Sequence, residues 1–176
     1  MATKIQQQSG AGYIYYDEKY RVLASFYLTE KEAESVIKNI SSDYSHSRVY
    51  TLDIHRFSSL NNLSKKQNEI IISISDLLLN TIQRLSELSV AFDTNSKSLD
   101  SILLEINTLR TSFDSVRSKF LSLFHQDSTY NANKVDLQEI ANSLERISKS
   151  NNSQFGQTIK FETINIIINY SSFLSF

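Results

Sequence analysis

The sequence predicts a predominantly helical α+β protein, with a small N-terminal ββαβ module over residues 1–57 followed by an antiparallel bundle of about four helices over residues 58–176. Three observations carry that prediction. Apolar residues alternate with a period of two in the runs 13–16, 20–27 and 48–54, and with a period near three and a half from position 60 onward. Clusters of capping and turn residues interrupt the helical pattern at 93–98, 125–133 and 151–154. The chain also has no proline and only three glycines, Gly10, Gly12 and Gly156, so its long periodic stretches carry no strong helix breaker.

The elements follow in order. Tyr13-Ile-Tyr-Tyr16 and Tyr20-Arg-Val-Leu-Ala-Ser-Phe-Tyr27 are β-branched and aromatic runs joined by the polar Asp17-Glu18-Lys19, which predicts a hairpin. A two-residue period puts Tyr20, Val22, Ala24 and Phe26 on one face of its second strand. Thr29 and Glu32 form a capping-box signature for a helix whose apolar stripe is Ala33, Val36, Ile37 and Ile40. Arg48 to Ile54 alternates again, predicting a third strand with Tyr50, Leu52 and Ile54 on one face.

Beyond position 58 the pattern is helical. Leu60, Leu63, Gln67, Ile70 and Ile74, then Leu78, Ile82, Leu85, Leu88 and Phe92, predict a helix over about 60–92. Leu99, Ile102, Ile106, Leu109, Phe113, Val116, Phe120 and Leu123 step three-four without interruption, predicting a second over about 97–124. Asp93-Thr-Asn-Ser-Lys-Ser98 marks a break between them; a single helix running through is the alternative, because Asn95 falls in register at a seam position. A third helix, about 134–149, carries Leu137, Ile140, Leu144 and Ile147. The fourth, about 156–174, carries Ile159, Thr163, Ile167, Tyr170 and Leu174, with Ile164, Ile166 and Ile168 widening its apolar face. A face that broad predicts burial on several sides, either centrally in the bundle or in a dimer.

Composition narrows the function classes. Eighteen basic residues balance nineteen acidic ones, and residues 1–57 carry seven of each sign, so no basic face points to nucleic acid. There is no cysteine, hence no disulfide, thiolate nucleophile or cysteine metal site. His46, His55 and His125 have no ligand spacing between them and read as solvated, His125 as a complement to a helix C-terminus. Gly10-Ala11-Gly12 lacks the third glycine and following helix of a phosphate loop, and no serine nucleophile elbow occurs. Glu30, Glu32 and Glu34 share an exposed face with Lys31 and Lys38, an arrangement of solvated charge. The chain therefore reads as non-catalytic, with no cofactor and no metal. It carries no secretory signal and no membrane-spanning run, so membrane association is expected only through an anchor absent from this chain.

The aromatic residues are the remaining signal. Eight crowd the first fifty positions: Tyr13, Tyr15, Tyr16, Tyr20, Phe26, Tyr27, Tyr44 and Tyr50. They fit either a small sheet that uses aromatic residues as core and cross-strand pairs, or a binding face. The candidate binding face is Tyr13, Tyr15, Tyr20, Val22, Phe26 and Tyr50.

Gly10-Ala-Gly-Tyr-Ile-Tyr15, Tyr20-Arg-Val-Leu-Ala-Ser-Phe-Tyr27, Thr29-Glu-Lys-Glu-Ala-Glu-Ser-Val36 and Arg48-Val-Tyr-Thr-Leu52 together resemble one half of a SPOR (sporulation-related repeat) domain. Ala24-Ser25-Phe26 and Thr29 to Ala33 occupy the positions of that family's strand end and helix start. The resemblance implies a small α/β module whose sheet binds peptidoglycan glycan strands outside the cytoplasm. It gives the leading expectation: a bacterial envelope-associated protein whose module attaches to glycan or a partner and whose bundle engages proteins. The alternative is a cytoplasmic helical scaffold or self-associating coiled coil, whose partner is another protein or a second copy, bound through helical faces.

Overall fold

The computed structural model describes residues 12–16, 19–23, 26–27, 29–40, 45–51, 54, 56–57 and 61–174. Its elements are β1 (Gly12–Tyr16), β2 (Lys19–Leu23), α1 (Glu30–Ile40), α2 (Lys65–Asp93), α3 (Leu99–Leu123), a 3₁₀ turn (Ser128–Tyr130), α4 (Asn131–Ser148) and α5 (Phe155–Phe173). The protein is predominantly helical. α2 packs on α3, α3 on α4, α4 on α5 and α5 back on α2, a closed ring of four helices in chain order. The connections, residues 94–98, 124–130 and 149–154, are short, as expected between antiparallel neighbours.

Each helix turns one seam inward. Ile102, Ile106, Phe113 and Phe120 of α3 are buried at the three-four spacing, with Leu99, Leu109 and Val116 half-buried beside them. That heptad seam is used inside the ring, between α2 and α4. Aromatic clusters close both ends. Phe120 stacks on Phe124 at 4.4 Å between ring centroids, Phe124 meets Tyr130 at 4.5 Å, and Phe120 meets Phe173 at 5.8 Å. At the other end Phe92 packs on Phe155 at 4.8 Å. Gly156 permits that contact, since a Cβ there would lie 3.3 Å from the Phe92 ring.

Local chemistry sets the helix ends. α2 begins later than its apolar stripe suggests, because Ser64 and Gln67 form a complete capping box: Gln67 N–H donates to Ser64 Oγ at 3.3 Å, and Ser64 N–H donates to Gln67 Oε1 at 2.9 Å. Gln67 thus serves as a cap and not as a seam residue. The break between α2 and α3 is a Schellman motif. Asn95 sits at φ 54, its N–H donates to Phe92 O at 3.0 Å, and Ser96 N–H donates to Ala91 O at 2.9 Å. Ser98 then caps α3 through Ser101 N–H. The continuous-helix alternative fails here, since the αL residue ends the ladder. The segment 125–133, expected as a polar loop, buries two residues: Tyr130 in the aromatic cluster, and Asn133, whose side-chain amide donates to Phe173 O at 2.9 Å and so satisfies the end of α5.

The N-terminal region departs from the expected ββαβ module. The hairpin and α1 are present, and Thr29 and Glu32 bond reciprocally at the start of α1. Among the described residues, however, the sheet is two-stranded, and residues 47–51 and 54 carry no strand; positions 52, 53 and 55, with Leu52 of the expected face, lie outside the described residues. The reason is competition for the side chains. Tyr50 meets Arg21 through its hydroxyl and ring, while Ile54 and Phe57 pack against the bundle core. Phe57 N–H donates to Ser75 Oγ at 2.9 Å, Ser75 Oγ is hydrogen-bonded to the Tyr170 hydroxyl at 2.7 Å, and Arg56 pairs with Asp76 at 2.6 Å. The segment is fastened across α2 and α5 instead of completing a sheet.

The Schellman motif gives a direct test. Asn95→Val places a β-branched residue in the left-handed region and is expected to cost about 1–2 kcal/mol, whereas Asn95→Gly is neutral or slightly stabilising. Urea midpoints of the two variants against the parent check both signs.

Candidate functional site

In an antiparallel pair, residues that face each other across the ladder share one side of the sheet. β1 and β2 pair Tyr13 with Val22 and Tyr15 with Tyr20, so the register aligns these four positions on one face. Its β2 members are turned to solvent: Tyr20 is 76% exposed and Val22 39% exposed. The other two residues of the expected binding face are elsewhere. Phe26 packs against the core. Tyr50 accepts from Arg21 Nη1 at 2.6 Å and carries the Arg21 guanidinium 4.6 Å above its ring. Arg21 lies between Tyr20 and Val22 in the strand, so Tyr50 belongs to the opposite side of the hairpin. Tyr27, just after Phe26, is exposed and was not among the expected face; the signal for it was only its place in the aromatic run.

Exposed Tyr20 and Val22 offer a ring face, an aliphatic edge and a phenol hydroxyl. Such a surface can stack against the C–H face of a sugar and hydrogen-bond its hydroxyl groups. The face contains no carboxylate, histidine or cysteine to transfer a proton or hold a metal.

A second, polar groove lies between α4 and α5, lined by Asn142, Glu145, Arg146, Lys149, Gln154 and Glu162. Its charges are occupied by one another. Arg146 Nε and Nη2 grip the buried Glu162 carboxylate at 2.6 and 2.8 Å, Ser143 Oγ accepts from Arg146 at 3.0 Å, and Asn165 donates to Glu162 at 3.2 Å. The Glu162 hydrogen bond holds the Arg146 guanidinium above its usual range. Lys149 pairs with Glu145 and holds that carboxyl below its usual range. At the α2–α3 end, Glu105 takes Lys97 at 2.5 Å and Arg84 Nε at 2.9 Å, and these bonds likewise lower its pKa. The Arg146–Glu162 and Arg84–Glu105 pairs are inter-element struts, whereas Lys149–Glu145 lies within one helix and its cap.

Among the described residues no group of three His, Asp or Glu side chains could hold a metal. His46 is exposed, and His125 is exposed with Nδ1 3.0 Å from Ser122 O at the end of α3; His55 lies outside the described residues. No helix among the described residues is long and apolar enough to cross a membrane. Comparison with protein-family models, with curated proteins and with solved structures finds no match.

Two substitutions probe the electrostatics. Arg146→Ala strands the buried Glu162 carboxylate and is expected to cost about 1–3 kcal/mol, read from chemical denaturation. Asp136, on α4, has a buried Oδ2 without a hydrogen-bond partner, and burial raises its carboxyl pKa against the weaker opposing effect of Ser172. A carboxyl raised on folding contributes most stability when protonated. That contribution is complete below the ordinary aspartate value of roughly 4 and is lost as pH rises through the raised folded-state pKa. Asp136→Asn is therefore expected to melt higher than the parent near neutral pH, with the gap closing on acidification. Melting curves across that range check the sign.

Proposed function

We propose that this chain is a non-catalytic, envelope-associated bacterial protein whose SPOR-like N-terminal module attaches to peptidoglycan glycan through the aromatic hairpin face, while the bundle carries it and engages protein partners. The observation that carries this reading is the alignment of Tyr13, Tyr15, Tyr20 and Val22 on one face, with Tyr20 at 76% exposure. Single apolar residues on a surface are ordinary; two exposed on one strand face, in register with two further tyrosines, support a contact surface. Of the ligands that stack on aromatic rings, nucleic acid is disfavoured by the balanced charge of residues 1–57. A neutral carbohydrate strand suits a face without charge clusters, and it is the ligand that the family resemblance implies. Because peptidoglycan is extracytoplasmic, the reading carries that localisation with it.

The protein-partner part rests on a separate feature. Leu104 of α3 is 70% exposed and Val135 of α4 is 61% exposed, on two helices that are neighbours in the ring. A cytoplasmic, self-associating scaffold would use the same outer surface. Sedimentation at micromolar concentration separates the two, since self-association predicts a concentration-dependent mass.

Co-sedimentation of the full chain with purified peptidoglycan tests the glycan reading. The parent chain is expected in the pellet, and Tyr20→Ala is expected to weaken retention roughly three- to tenfold through loss of one stacking ring. A parent chain that stays in the supernatant removes the reading.

A further inference from the structure

α5 carries a second apolar stripe. Phe161, Ile164 and Ile168 are three and four residues apart, and at 3.6 residues per turn they stand on the side of α5 opposite Ile159, Ile166, Tyr170 and Phe173, which fill the bundle core. A stripe there would normally meet water. Instead Ile164 is only 1% exposed, although among the described residues it is not part of the core cluster, and Phe161 and Ile168 are half-buried and likewise outside it. Besides α2 and α4, β1 runs against α5. Tyr20 and Val22 of β2 look outward, which leaves the opposite face of the hairpin, the one to which Arg21 belongs, to be covered.

We infer that this outer stripe is the seat of the hairpin, and that Phe161, Ile164 and Ile168 are positioning residues for the aromatic row. A two-stranded hairpin is marginally stable at best in water and needs an apolar surface to pack on. The tether at Phe57 keeps the segment beside α5, through Ser75 and Tyr170, but does not order the strands themselves. With the seat intact, the row is presented as one flat face. With the seat disrupted, only the fraction of molecules that re-form the hairpin can bind, and apparent affinity falls by that fraction. The ligand arm of this inference rests on the proposed glycan reading; the conformational arm does not.

The test uses the full chain and three variants: Ile164→Asp, Ile164→Leu, and the double variant Phe161→Ser with Ile168→Ser, which leaves the core seam untouched. Hydrogen exchange of the Lys19–Leu23 amides reports the seating, exchange in α3 and α4 reports the bundle, and co-sedimentation with purified peptidoglycan reports binding. In Ile164→Asp the hairpin amides are expected to exchange at least tenfold faster, with α3 and α4 still protected and retention reduced in step; Ile164→Leu restores both. If Ile164→Asp does not fold, the double variant is read in the same way. The inference is overturned if the hairpin amides of the parent are unprotected, or if they stay protected in a folded seat variant. It is also overturned if a seat variant with a freely exchanging hairpin is retained as well as the parent. A parent chain that peptidoglycan does not retain, but whose hairpin loosens in Ile164→Asp, removes the glycan reading and leaves the seat standing.

Discussion

The constraint on which this structure depends is that α5 carries apolar stripes on two opposite sides, and both must be covered. A helix with one apolar stripe can lie on a surface; one with two needs neighbours on both sides. α2 and α4 take the side bearing Ile159, Ile166 and Tyr170, and the N-terminal hairpin approaches the helix as well. The helix has two charged residues, and each is spent on a neighbour. Lys160 reaches Asp93 at the end of α2 at 2.7 Å, and Glu162 is gripped by Arg146 of α4. Its last carbonyls are met partly by Asn133 from the start of α4. The final helix in the chain therefore organises what precedes it, which requires contacts between residues far apart in sequence.

Much of the bundle was legible because its information is local. The seam Ile102, Ile106, Phe113 and Phe120 repeats without a fault, and the cluster Asp93 to Ser98 contains the residues that a helix end and a new start demand. Where two local signals compete, the periodic one misleads. Leu60, Leu63 and Gln67 extend the apolar stripe of α2 backward, yet the Ser64–Gln67 box decides the start by satisfying backbone N–H groups that water would otherwise have to meet. Both signals are in the sequence; only the energetics of the helix terminus ranks them. Tyr130 and Asn133 carried no such signal. Asn133 is buried because a carbonyl forty residues onward needs a donor, and that need appears only after the ring has closed.

The N-terminal region shows the same division. Alternation in Tyr20-Arg21-Val22 reads out the two faces of β2 correctly, because the ladder with β1 enforces a two-residue period. The period has no authority beyond Leu23, where the strand ends, and Phe26 turns to the core although its parity matches Tyr20. Residues 48–54 alternate as a strand would, but alternation supplies no ladder partner. Arg21 engages Tyr50 by side chain, and the bundle draws in Ile54 and Phe57. A candidate face assembled from sequence parity thus keeps the members that a ladder holds in register and loses the two that lie outside it.

These features bear on how so small a ribbon can hold one shape. A two-stranded ribbon has too few hydrogen bonds and too little buried area to fix its own twist, and free in solution it would present its tyrosines in many arrangements. Ordering them during binding would cost conformational entropy for each rotamer immobilised. A ribbon laid on a rigid helix has met much of that cost during folding. The rigidity comes from α5, and α5 is rigid because the aromatic clusters and the Arg146–Glu162 strut hold it within the ring. Support of the hairpin is in this sense a property of the bundle, because the helix that β1 runs against is itself held by α2 and α4.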